Sequence, residues 1–156
     1  MKTKFILFIM PLIFLACSGT SDASRIESAQ YNNPKERVEI LKNEIVSASE
    51  FYDAEFDLFN VNGFSQNTSR GIPGASSWDY KFAIKVSPFD LDTWVIEMKK
   101  DTLQNHDTGW TKEIIKQRKE NWKTSGEPEF YKHPERDVMV LLFRNEGIIF
   151  KRVLNK

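Results

Sequence analysis

Residues 50–61 read Glu-Phe-Tyr-Asp-Ala-Glu-Phe-Asp-Leu-Phe-Asn-Val. Tyr52, Ala54, Phe56 and Leu58 alternate with Asp53, Glu55 and Asp57, the period of two that places successive side chains on opposite faces of a strand. One face is therefore apolar and the other acidic. Residues 79–86, Asp-Tyr-Lys-Phe-Ala-Ile-Lys-Val, answer this pattern with Tyr80, Phe82, Ile84 and Val86 on one face and Lys81 and Lys85 on the other. The acidic stripe and the lysines are expected to be cross-strand neighbours. As ligands for a divalent cation, the three carboxylates would span about 13 Å along one strand, too far to share an ion. The stripe is read instead as a solvated face neutralised by the next strand, and no metal is expected.

Between the two strands, Asn60 to Ser77 is rich in Asn, Gly and Ser and carries Pro73 between Ile72 and Gly74. Connections of this length in a compact domain are commonly functional. Arg70 and the closing Trp78 are its candidate binding residues; the alternative is a connector with Trp78 tucked into the core.

On the N-terminal side, Asn33 as cap, Pro34 at the first position and Glu36 three after the cap open a helix that ends near Val46, with Val38, Leu41 and Ile45 on one face. After Val86, Ser87, Pro88 and Asp90 open a second helix whose buried stripe is Leu91, Trp94, Val95 and Met98. Lys99 and Lys100 would complement its C-terminal dipole. A polar connection from Asp101 to Gly109 precedes a third helix from Trp110 to about Trp122. Glu129–Lys132 reads as a short strand stopped by His133-Pro134, and Val138–Phe143 as a strand covered on both faces. Asn145-Glu146-Gly147 is a hairpin turn with glycine where positive φ is needed, and Ile148–Leu154 returns as the last strand.

The order is thus α-β-β-α-α-β-β-β. It indicates an α+β domain over residues 33–156, with an antiparallel sheet of four to five strands and about three helices, mainly on one face.

The chain opens with Lys2 and Lys4, then twelve apolar residues from Phe5 to Ala16, then Cys17, its one cysteine. As a helix this apolar run is about 18 Å long, short of the roughly 30 Å hydrocarbon core, so a secretory leader over residues 1–16 fits better than a membrane span. Ending at Ala16-Cys17, it resembles a bacterial lipoprotein precursor, although the positions three and two before the cysteine are Phe14 and Leu15, where that family usually has Leu and a small residue. The resemblance implies cleavage before Cys17, lipid attachment there, and a place in the bacterial cell envelope. Ser18 after the cysteine leans towards the outer membrane if the cell is Gram-negative. A lone thiol in an oxidising compartment is a liability that a lipid thioether removes. Residues 17–32, small and polar, would be a flexible tether.

Basic and acidic residues balance at 22 each in the full chain, and removal of the leader shifts the balance slightly to the acidic side. This gives no electrostatic case for a nucleic-acid partner. The sequence contains no Gly-x-Ser-x-Gly elbow, His-Glu-x-x-His, Walker loop or dinucleotide fingerprint, and no cofactor is expected. Of two histidines, His106 beside Asp107 is the candidate acid–base pair, with solvent exposure in a polar loop as the simpler reading. The leading functional expectation is a non-enzymatic envelope lipoprotein, held to the membrane by its lipid, that binds a protein or glycan partner as an inhibitor, immunity or assembly factor. The alternatives are a small hydrolase using carboxylates or His106, and a carrier of a small ligand.

Overall fold

The computed structural model describes residues 24–64, 77–103 and 106–155. The stretch expected to be a leader, Cys17 and Arg70 lie outside them. Among the described residues one sheet holds seven strands: β1 (Arg25–Glu27), β2 (Phe51–Asn60), β3 (Trp78–Val86), β4 (Lys99–Asp101), β5 (Glu129–Lys132), β6 (Val138–Phe143) and β7 (Ile148–Asn155). They lie in the order β1-β2-β3-β7-β6-β5-β4 with every neighbouring pair antiparallel. Two meanders, one from each half of the chain, are joined where β3 lies against β7.

The α+β class holds, but the sheet is larger than the four to five strands expected, and the element order differs. Both additions are three-residue edge strands. Arg25–Glu27 falls inside the stretch expected to be a tether and pairs with Asp57–Phe59 of β2. Lys99–Asp101, expected to hold the end of a helix (Lys99, Lys100) and the start of a polar connection (Asp101), instead pairs with Phe130–Lys132 of β5. Strands of three residues carry too little alternation to be seen in a sequence.

The helices lie on both faces, not mainly on one. Helix α1 (Pro34–Glu44) and a 3-10 segment (Pro88–Val95) pack Leu41, Leu91 and Trp94 against Phe56, Phe82 and Leu142. Helix α2 (Gly109–Ile115) and a second 3-10 segment (Lys119–Trp122) pack Trp110, Ile114 and Trp122 against Ala83, Leu141 and Phe150. Phe82 and Ala83 are adjacent in β3, as Leu141 and Leu142 are in β6, so the two clusters sit on opposite sides of the sheet. Burial of each large apolar side chain contributes about 1.5–3 kcal/mol relative to exposure.

The local signals act as the residues suggest, with some differences. The Asn33 side chain accepts a hydrogen bond from the Lys35 amide at 3.0 Å, and Pro34 opens α1. Ser87 and Pro88 likewise open their segment, with Ser87 Oγ accepting from the Phe89 amide at 3.4 Å. That segment winds as a 3-10 helix, with its buried residues Leu91 and Trp94 one 3-10 turn apart. It is over before Glu97, whose φ is 66°. The third helix likewise breaks, into α2 and the 3-10 turn at 119–122. In the central hairpin Asp53 faces Lys85 and Asp57 faces Lys81, as charge pairing predicts. A register shift between Phe51 and Asp53 takes Tyr52 out of the apolar face and leaves it exposed.

Candidate functional site

The acidic stripe of β2 is not a solvated face. Glu55 is 1% exposed, and the carboxylates of the stripe are engaged by arginines. Because β1 covers only residues 57–59, the edge of β2 is open at Asp53–Glu55. Arg37 of α1, itself 1% exposed, fills this gap. Its Nε donates to the Ala54 carbonyl at 2.7 Å, and its terminal nitrogens donate to the carbonyls of Tyr31 (3.2 Å) and Asn32 (3.1 Å) and to Asp53 (2.7 Å). On the other side of the strand, Arg118 donates to Glu55 at 2.5 and 3.0 Å and to the Ser28 carbonyl at 2.7 Å. Ser28 Oγ donates to Glu55 at 2.6 Å. With Arg37 Nε 3.6 Å from Glu55, the chain Arg37–Glu55–Arg118 fastens elements on both faces of the sheet around its edge. Both oxygens of Glu55 are occupied, which makes it a fastening and not a free acid.

Beside this fastening lies a cleft of about 430 Å³. Its charges are paired with one another: Arg25 grips Asp57 at 2.7 and 2.8 Å, Lys81 lies 3.7 Å from Asp57, and Lys116 lies 3.5 Å from Glu113. Little of its polarity is left for a ligand.

A second hollow, of about 330 Å³, differs in kind. It opens on the α1 side of the sheet, between the end of α1 and the segment following Trp94. Phe82, Trp94, Met98 and Val153 wall it, while Val46 (96% exposed) and Ile96 (68%) stand at its rim. Into this apolar setting β7 brings Lys151, which pairs with Phe82 of β3 and Val140 of β6 and therefore faces the same core. Its ammonium lies 5.5 Å from the centre of the Trp94 ring. No carboxylate among the described residues lies within 4 Å of it, and none of them accepts a hydrogen bond from it. Burial, helped by the nearby Arg136 charge, pulls the Lys151 amine below its usual range. Trp94 is fixed in turn by its indole N–H donating to Ser49 Oγ at 2.8 Å and by edge-to-face contacts with Phe51 and Phe82.

The residues singled out from the sequence are scattered. Trp78 starts β3, paired with Asn60 and Asn155, and is half-buried. His106 stacks on Phe130 with centroids 4.6 Å apart, and its Nε2 is 3.6 Å from Asp101, not from Asp107. Asp107 turns away to accept from the Gly109 amide at 2.9 Å, opening α2. The expected His106–Asp107 pair is therefore not assembled, because each side chain has a different partner. Cys17 and Arg70 lie outside the described residues.

Two residues escaped the sequence reading, Arg37 and Lys151, and both carried a signal. Arg37 stands four before Leu41, on the buried stripe of α1. Lys151 stands between Ile149 and Val153 on the inward face of β7, a charge in a position that alternation reserves for an apolar side chain. No protein-family model, curated protein or solved structure matches the chain.

Proposed function

We propose that this protein is a lipid-anchored binding module of the bacterial cell envelope that holds a small ligand in the Lys151 hollow. The leader and Cys17 support the anchoring, by resemblance to lipoprotein precursors. No helix among the described residues is long and apolar enough to cross a membrane. The observation that carries the binding role is Lys151: a half-buried ammonium without a carboxylate partner among the described residues, set in the lining of the hollow beside Phe82, Trp94 and Val153. A partly desolvated charge left unpaired is costly, and such groups are typical of binding sites. The hollow's size is at the lower end of small-molecule sites, about 300–1,000 Å³. The ligand-carrier reading is thereby preferred to a hydrolase built on His106, whose imidazole is committed to Phe130 and Asp101.

The test is native mass spectrometry of the mature protein purified from its own envelope. The wild type is expected to carry a small molecule that is released on denaturation. Val46→Asp/Ile96→Asp, which changes only exposed rim residues, is expected to lose it. Equal occupancy in both, or none in the wild type, would contradict the proposal.

A further inference from the structure

The charge at the hollow selects the chemistry of its occupant. Lys151 offers three N–H donors, and the Trp94 face satisfies an ammonium only through a cation–π contact. The other charged groups on the hollow are already engaged or stand apart. Arg136 Nε stands 3.0 Å from His133 Nε2, and the same guanidinium lies 3.8 Å from Glu97. His133 Nδ1 accepts from the amides of Glu135 and Arg136, both at 3.1 Å. Glu44 is the one carboxylate on the wall. It forms no ion pair within 4 Å among the described residues, and burial raises its carboxyl above the usual range. The wall thus carries two cations against one carboxylate, and of the two cations Lys151 is the one with no carboxylate of the described residues within 4 Å.

Trp94, Met98, Ile96 and Val46 supply apolar surface to the same lining. A ligand complementary to this arrangement has one anionic end and an apolar body. A polyanion would leave charge against apolar walls, and a neutral alkane would leave Lys151 unpaired. We propose that the hollow takes a small amphiphilic monoanion, an alkyl carboxylate, with its carboxylate on the Lys151 Nζ and its chain along Trp94 towards Ile96 and Val46. This rests on the reading of the hollow as the binding site.

Calorimetric titration with octanoate, octanol and octylamine separates the two claims. The wild type is expected to bind octanoate about tenfold or more tighter than octanol, and octylamine most weakly. Lys151→Met keeps the length and the apolar stem; it is expected to bind octanol as the wild type does and to lose the preference for octanoate, while Lys151→Arg retains it. Circular dichroism and a thermal melt of each variant establish that it is folded. Equal affinity for octanoate and octanol in the wild type, or a preference that survives Lys151→Met, would overturn the assignment of the anion while leaving the hollow as a binding site. Failure of all three probes to bind would overturn both.

Discussion

Glu55 has exchanged water for two guanidinium groups and a serine hydroxyl, and that exchange has a direction. A buried pair is weak evidence of net stability, yet removing one partner leaves the others buried and uncompensated, at a cost of about 3–5 kcal/mol. Glu55→Gln is therefore expected to destabilise the protein by about 3 kcal/mol in urea titration, with Arg37 and Arg118 left facing a neutral amide. Glu50 provides the comparison. It also meets a cation, Lys42, but its side chain is 88% exposed, so Glu50→Gln is expected to cost less than about 0.5 kcal/mol. Equal losses in the two variants would refute the role given to the fastening. Neither outcome was legible in the alternation of β2. Asp53, Glu55 and Asp57 look alike in sequence, and only the short reach of β1 and the arrival of Arg37 and Arg118 make the middle one buried.

At the scale of elements, the β6–β7 hairpin was readable because its turn chemistry is local. Gly147 has φ of 64°, and its carbonyl accepts from the Val86 amide at 2.9 Å. A Cβ there would lie 2.5 Å from the Val86 carbonyl oxygen, a backbone atom that cannot swing away. Gly147→Ala is expected to cost about 2 kcal/mol or more, from the left-handed backbone and the clash together. A Cβ on Gly126 meets nothing within 4 Å, and Gly126→Ala is expected to be neutral or slightly stabilising. Thermal melts of the two variants decide this. The same hairpin is tied to the 88–95 segment by Arg144, which donates to Asp92 at 2.8 Å and to Glu129 of β5 at 3.0 Å. The bonds from Arg144 and then from Tyr131 hold the Glu129 carboxyl down at about 2. Because the folded value lies below the unfolded one, near 4.5, the stabilisation is present above about pH 4.5 and is lost as the pH falls towards 2. The stability gap between wild type and Glu129→Gln is accordingly expected to close over that window in urea titrations at stepped pH. A gap that stays constant would show that the carboxylate is not the group responsible.

For the whole molecule, long periodic segments fixed the two halves of the sheet, and the long-range arrangement was hidden. The strands of β2, β3, β6 and β7 each announce themselves, yet nothing local says that β3 lies beside β7 across the intervening chain. Nor does a helix's own stripe say which face of a sheet it covers. The hollow is invisible for the same reason: Lys151, Trp94 and Val46 come from separate elements, and each is ordinary alone. Envelope anchoring, by contrast, is proposed from sequence alone. Metabolic labelling with a fatty acid is expected to mark the wild type and not Cys17→Ser, and equal labelling would contradict lipid attachment.

The chain carries its own reporters for the site: four tryptophans, of which Trp94 walls the Lys151 hollow and Trp110 lines the paired-charge cleft. A nitrogen–proton correlation spectrum resolves their indole N–H groups during titration with octanoate. The resonance of the Trp94 N–H, which donates to Ser49, is expected to shift saturably while those of Trp110 and Trp122 stay in place. A saturable shift of Trp110 with Trp94 unmoved would put the ligand in the other cleft and contradict the account.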